Sequence, residues 1–290
     1  MAPRLLFIHS PGLSYLIFNG QLREEAAFAL PLPNRGLFYN DGFFETLIWT
    51  DGGVRLLAYH LNRVQAAAAA LQLTLPIELS TLEGLGGIFK QVVATQGLKA
   101  ARLRLQLWRA GAGLYTPATV AADYLITAVA YEPTAPTGAR ADFSQQVHTH
   151  LSPLSFCKGP HALTYVLAAR ERAARGLDEI ILLDSAGHVA EAGAAAIFWF
   201  KNGCLYTPTL STGCVAGVRR THLLRTAQLQ GLPTEEGLYL AEELLTAEAV
   251  FTANVASLRS IRQIGETTFA AEPYPLYTKL QLWEADYRVS

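Results

Sequence analysis

The chain has 290 residues, 51% of them hydrophobic and 16% charged, which suits one large or two modest domains and argues against intrinsic disorder. Lys and Arg total 23 against 24 Asp and Glu, a formal net charge of −1, so the basic stripe typical of a nucleic-acid binder is missing. Mean hydropathy is +0.20, yet no uninterrupted apolar stretch approaches the roughly 20 residues of a membrane helix, and residues 1–7 are too weakly apolar for a signal peptide.

In chain order, alternating apolar residues and turn signals predict strands over 13–18 and 26–30, separated by an Asn19-Gly20 turn. A third strand over 43–49 turns at Asp51-Gly52-Gly53 into 54–57. Leu61, Val64, Ala68 and Leu71 line one face of a helix over 58–73. A second helix over 80–95 starts at Ser80-Thr81-Leu82-Glu83, which resembles a capping box. Strands follow at 102–108 and 121–130. Residues 131–142 carry Pro133, Pro136 and Gly138 without a periodic apolar face and are predicted as a linker. It separates an N-terminal domain (1–130) from a C-terminal one (143–290). The second half reads as a strand over 145–151, a helix over 162–175 stopped by Gly176, and hairpins over 179–190 and 195–206. Helices over 218–229 and 241–247 then flank a short strand, and a strand over 249–253 closes the sheet. The result is two α/β halves. Cys157, Cys204 and Cys214, odd in number and unrelated in spacing, suggest neither a disulfide framework nor a zinc site, and a reducing cytoplasm is the expected compartment.

A few residues could carry chemistry. Lys158 lies between a strand and a helix in Ser155-Phe156-Cys157-Lys158-Gly159-Pro160. A lysine in a desolvated pocket has its pKa lowered, and its neutral amine can form an imine with an aldehyde; a solvated loop lysine is the commoner reading of such a segment taken alone. Glu191, followed by Ala192-Gly193-Ala194-Ala195-Ala196, leaves room for a planar ring beside its carboxylate, or is a strand-end acid in water. Gly213 and Gly217 precede a helix whose free N–H groups and dipole favour an anion such as phosphate, although a plain glycine-rich helix start has the same pattern. Arg63 and Arg104 could each clamp an anion or sit at the surface. His148 and His150 would share one strand face, and without a third ligand they are not read as a metal site.

Together these residues form an ordered set: Asn34-Arg35-Gly36-Leu37-Phe38-Tyr39-Asn40-Asp41-Gly42-Phe43-Phe44-Glu45-Thr46, then His60-Leu61-Asn62-Arg63, Lys158, Glu191 and Gly217-Val218. The set resembles the class IV aminotransferases, the fold-type IV pyridoxal phosphate (PLP) enzymes that include branched-chain aminotransferases, D-amino acid aminotransferases and aminodeoxychorismate lyases. The resemblance runs over about residues 13–260. It implies a two-domain α/β (α+β) fold, with a smaller N-terminal α/β domain and a larger, barrel-like C-terminal one that binds the cofactor.

The resemblance also implies roles. Lys158 would hold pyridoxal 5'-phosphate as an internal aldimine and shuttle the substrate proton, and Glu191 would pair with the ring nitrogen. Arg63, the backbone of Val218 and Arg219 after Gly217, and a polar group near Asn254 would bind the phosphate, with Val215 against the ring. Tyr39, Phe44 and Glu45 would face the substrate, and Arg104 stands where relatives place a basic residue for the substrate carboxylate. A homodimer with active sites near the subunit interface is implied as well.

Some positions depart from the family pattern. Branched-chain enzymes carry a tyrosine five residues after the lysine, where this chain has Leu163. The Arg and His with which D-amino acid enzymes trap a carboxylate are absent after Arg109-Ala110, and residues 109–115 look more like the lyases. Phe44-Glu45-Thr46 is closer to the aminotransferases. Ala196 stands where relatives often have Asn, and Arg219 where they have Thr. The leading expectation is amino transfer between a small amino acid and a 2-oxo acid. The alternatives are 4-amino-4-deoxychorismate lyase activity, releasing pyruvate and 4-aminobenzoate, and a non-catalytic relative, against which the retention of Lys158 and Glu191 argues.

Overall fold

The computed structural model describes residues 14–133, 138–269 and 274–286. Residues 1–7, position 13 of the first predicted strand and residues 134–137 of the predicted linker lie outside the described residues.

The first half builds β1 (Tyr15–Phe18), β2 (Gln21–Glu24), α1 (Arg35–Tyr39), β3 (Gly42–Thr50), β4 (Gly53–Val54), α2 (Leu57–Ala70), α3 (Leu82–Thr95), β5 (Ala101–Arg109) and β6 (Ala122–Ala130). The strands form an antiparallel sheet in the order β2-β1-β6-β5-β3-β4. On β5, Leu103, Leu105 and Leu107 are fully buried while Arg102 and Arg104, which alternate with them, are exposed. The period-two alternation packs one face onto α2 and α3 and leaves the other open.

Several local expectations change. The predicted strand over 26–30 is displaced to β2: Asn19 and Gly20 both take positive φ, so the hairpin turns immediately and the returning strand is used up by Glu24. The strand predicted over 54–57 shrinks to Gly53–Val54, because Leu56 is left-handed (φ 56°) and α2 starts at Leu57. The cap of α3 is Thr81, whose hydroxyl accepts from Gly84 N–H at 3.1 Å; Ser80, predicted to open a capping box, donates instead to Pro76 O.

The second half contains β7 (Ala139–Phe143), α4 (Ala162–Ala174), β8 (Glu179–Leu183), β9 (Val189–Ala192), β10 (Ala196–Lys201), β11 (Cys204–Pro208) and α5 (Val218–Leu229). It continues with β12 (Thr234–Gly237), α6 (Ala241–Leu245), β13 (Ala249–Ala253), β14 (Leu258–Ile264), β15 (Thr267–Thr268) and α7 (Pro275–Asp286). The sheet order is β12-β11-β10-β13-β14-β7-β8-β9, with β15 added to β14. The sheet curls into a half-barrel, and a bridge between Ala192 and Ala195 brings the β9 end back toward β10.

The strand expected over 145–151 lies instead at Ala139–Phe143, starting in the last residues of the predicted linker and ending just beyond it, where it pairs in parallel with both β8 and β14. Residues 145–151 are irregular apart from a bridge between Thr149 and Asp184, so His148 and His150 share no strand face and both are exposed. The strand β13 does not close the sheet: β14 pairs with it and links it to β7. A buried cluster of Ile48, Leu56, Val218 and Val255 ties β3 and the start of α2 to the start of α5. The start of α5 is thereby fixed beside the first sheet.

Candidate active site

The Lys158 segment runs along the open edge of β3. Phe44 N–H donates to Lys158 O at 2.8 Å, and Asn40 Nδ2 donates to Gly159 O at 2.9 Å. Gly159 is required here: φ is +135°, and a Cβ would stand 2.8 Å from Phe43 Cα. Lys158 is half-buried and its pKa is lowered to about 8, first by desolvation and then by the Arg63 charge, against the pull of Glu45 and Glu191. The amine is therefore still mostly protonated at pH 7 but about half neutral near pH 8, far below the range of an exposed lysine.

Glu191 on β9 is buried, and burial pushes its pKa up to about 7. Its Oε1 accepts from the Tyr165 hydroxyl at 2.7 Å and from Val215 N–H at 3.3 Å, whereas Oε2 accepts no hydrogen bond among the described residues. An unpartnered carboxylate oxygen in such a place is suited to a cationic N–H donor.

A candidate anion site lies at the start of α5. This 12-residue helix has no side-chain cap on Gly217, which leaves the first N–H groups, those of Val218 and Arg219 included, for an outside acceptor. Arg63 on α2 reaches the same point, where its Nη1 donates to Ala216 O at 2.8 Å. Ala216 N–H in turn donates to Phe156 O at 2.9 Å, which joins this loop to the lysine segment. Gly213, in the same loop, is left-handed (φ +81°), with its would-be Cβ 2.5 Å from the His150 carbonyl carbon.

Glu45 corrects an expectation. Adjacent strand residues point to opposite faces, so Phe44 and Glu45 cannot both face a substrate. Phe44 lies on the open face beneath Arg104, whose guanidinium sits 3.4 Å from the ring centroid. Glu45 points into the covered face, where it accepts from Arg63 Nε and Nη2 at 2.6 Å each and lies 2.7 Å from His60 Nδ1. Arg63 and His60 pull its carboxyl down to about 2 despite complete burial. Burial lowers the His60 pKa, so the ring is neutral with its proton on Nδ1, toward the carboxylate. Glu45 is therefore the anchor that aims Arg63.

The remaining predicted residues are placed as follows. The Arg219 side chain turns away to Asn254 O (3.0 Å) and Glu284 (2.8 Å), so only its backbone N–H faces the anion site. Asn254 Oδ1 accepts from Ala256 N–H and Ser257 N–H, and Nδ2 donates to Ala194 O, so its side chain mainly closes a turn. Val215 is buried beside Glu191. Tyr39 ends α1 and packs on Tyr115, with ring centroids 5.7 Å apart. Leu163 is 77% exposed. Two contributors were missed in the sequence: Tyr165, seven residues after the lysine, and Arg102, which shares the Arg104 face and whose charge reaches Lys158. The period-two spacing of Arg102 and Arg104 was the available signal for the second. Cys157, Cys204 and Cys214 are free and buried, and no group of His, Cys, Asp and Glu among the described residues could hold a metal ion.

The arrangement gathers an amine, a carboxylate and an uncapped helix start beside a guanidinium. Residues 42–265 match the family described as amino-transferase class IV, and the chain belongs to that family. Its members are pyridoxal-phosphate enzymes. The chain is 30% identical to the aminodeoxychorismate lyase of Bacillus subtilis, over 91% of each protein. It is 27% identical to the D-alanine aminotransferase of Bacillus licheniformis, over 92% of this chain and 94% of that one. In fold it resembles the Escherichia coli branched-chain amino acid aminotransferase (TM-score 0.85, 20% identity, 96% of this chain and 95% of that chain).

Proposed function

We propose that this enzyme binds pyridoxal 5'-phosphate through Lys158 and moves an amino group between a small amino acid and a 2-oxo acid. One observation carries the reading: the free Oε2 of buried Glu191 and the depressed amine of Lys158 belong to one site, beside an uncapped helix start reinforced by Arg63. These residues fit the cofactor: an amine for its aldehyde, an unpartnered carboxylate oxygen for its ring nitrogen, and N–H groups with a guanidinium for its phosphate. When bound, the cofactor supplies the electron sink that stabilises negative charge at the substrate α-carbon.

The chain's own residues do the rest. Lys158 Nζ, about half neutral near pH 8, would accept the α-proton of the donor amino acid and, in the second half-reaction, deliver a proton on the same face to the α-carbon that comes from the 2-oxo acid. Glu191 Oε2 holds a proton on the ring nitrogen. Arg63, locked by Glu45, keeps the phosphate end from shifting. Arg104, with Arg102 beside it, receives the substrate carboxylate, while Tyr39 and Phe44 border the pocket.

The 30% identity to an aminodeoxychorismate lyase favours one second reading, pyruvate elimination from aminodeoxychorismate. Incubating the purified protein with L- and D-amino acids plus a 2-oxo acid, and separately with aminodeoxychorismate, separates the two: a new amino acid supports transfer, whereas pyruvate with 4-aminobenzoate supports the lyase. Binding at Lys158 is tested by a visible absorption band that Lys158→Ala abolishes; a band that persists in the variant would rule this lysine out.

The six-stranded sheet ends at Ala130 and the second begins at Ala139, which supports two domains divided near the predicted linker. The exposed Leu163, Val166 and Leu167 of α4, with Leu151 nearby in sequence, support a homodimer, measurable by light scattering. No described helix is long and apolar enough to cross a membrane. The expected compartment is the cytoplasm.

A further inference from the structure

Tyr165 stands in the first turn of α4 and is half-buried, while Leu163, two residues earlier and about 200° around the helix, is exposed. The Tyr165 hydroxyl donates to Glu191 Oε1 at 2.7 Å. Its own ionisation is pushed far up by burial and the adjacent carboxylate, so it is a donor at any working pH. Oε1 also takes Val215 N–H and is thereby filled, which leaves Oε2 as the oxygen with no protein partner among the described residues.

The groups facing Glu191 come from every neighbouring element: Lys158 before α4, Tyr165 on α4, Cys214 and Val215 N–H before α5, and Arg220 on α5. Burial favours the neutral acid, and the Tyr165 hydroxyl opposes it at 2.7 Å, a closer donor than Val215 N–H at 3.3 Å. Removing that one donor leaves a carboxylate whose remaining supports are weaker.

We propose that Tyr165 is the positioning residue of Glu191: its hydroxyl occupies Oε1, favours the carboxylate over the neutral acid, and presents Oε2 to the ring nitrogen of the cofactor. The proposal rests on the reading that Glu191 faces that ring. It makes the protonation of the cofactor ring depend on a helix residue that touches none of the reacting atoms.

The test uses Tyr165→Phe, and Tyr165→Met as a second variant without the hydroxyl should the first fold poorly. Protein labelled with 13C at the glutamate δ-carbon reports the Glu191 titration, its resonance identified by loss in Glu191→Gln. Exchange with 15N-ring pyridoxal phosphate reports ring-nitrogen protonation in the same protein. The expected result is a Glu191 midpoint raised by one pH unit or more, a tenfold fall in the ratio of carboxylate to acid at a given pH, together with a ring-nitrogen shift toward the unprotonated form while the cofactor stays bound. A Glu191 midpoint and a ring-nitrogen shift both unchanged in a folded variant would overturn the proposal. A moved midpoint in a protein that binds no cofactor even as wild type would support the Tyr165–Glu191 coupling and overturn the cofactor reading beneath it.

Discussion

Replacing Lys158 by methionine should make the cofactor-free protein more stable, although it removes the residue proposed to hold the cofactor. Methionine has similar length and no charge, so the change mainly deletes a desolvated ammonium. Burial and Arg63 lower the lysine pKa from 10.5 to about 8. At 1.36 kcal/mol per pH unit, a shift of this size corresponds to roughly 3 kcal/mol. The direction follows from proton counts. Below pH 8 the lysine is protonated in both folded and unfolded chains, so the full cost of burying the charge is present. Between pH 8 and 10.5 the folded protein sheds its proton first, and the cost fades. Lys158→Met should therefore melt higher at pH 7 by on the order of 6–12 °C, at about 2–4 °C per kcal/mol for a chain of this class. That advantage should shrink toward zero as pH approaches 10.5. Thermal melts of both cofactor-free proteins from pH 6 to 10.5 supply the assay. A variant no more stable than wild type at pH 7, or an advantage constant across the range, would refute the argument that the site stores a buried charge.

Other outcomes follow from the same site. Glu191→Gln should retain bound cofactor but slow single-turnover α-proton removal by roughly 100-fold or more; unaltered single-turnover kinetics would count against its ring-nitrogen role. In the cofactor-free protein the raised Glu191 pKa means stability falls as pH rises from 4.5 toward 7, and Glu191→Gln should flatten that slope in pH-dependent melts. Glu45→Gln breaks a buried pair and should cost about 3–5 kcal/mol, weakening cofactor retention by freeing Arg63. The wild-type contribution of Glu45 is present above pH 4.5 and disappears as pH falls toward 2, which acid unfolding of the two proteins would show. Gly159→Ala, forced against Phe43, should lower kcat far more than a substitution in an open turn such as Gly187→Ala; equal effects on both would argue against the close approach. Arg104→Leu should raise KM for carboxylate substrates by an amount worth about 2–3 kcal/mol, and a KM within error of wild type removes it from the pocket.

Local pattern was enough to read much of this protein. The alternation along β3 and β5, the helical faces of α2 and α3, and the small residues before α5 are short-range signals, and they yielded the two α/β halves and the ordered set of Lys158, Glu191 and the α5 start. Where two signals competed, pattern was insufficient. The strand β7 was hidden in a segment bounded by proline and glycine, because its pairing partners, β8 and β14, lie about 40 and 120 residues away in the chain, and sequence-local reading cannot see them. Side-chain direction was the other loss. Phe44 and Glu45 are adjacent letters, but the pleat sends one to the open face and the other into a buried pair with Arg63. Likewise Tyr165 looked like any helix residue until the curl of the second sheet carried Glu191 to its hydroxyl. The sequence by itself determined which reactive groups the chain owns and in what order. Which oxygen accepts, which guanidinium is already occupied, and how far burial moves each proton were decided only by tertiary structure, because desolvation and hydrogen bonding depend on neighbours brought from distant parts of the chain.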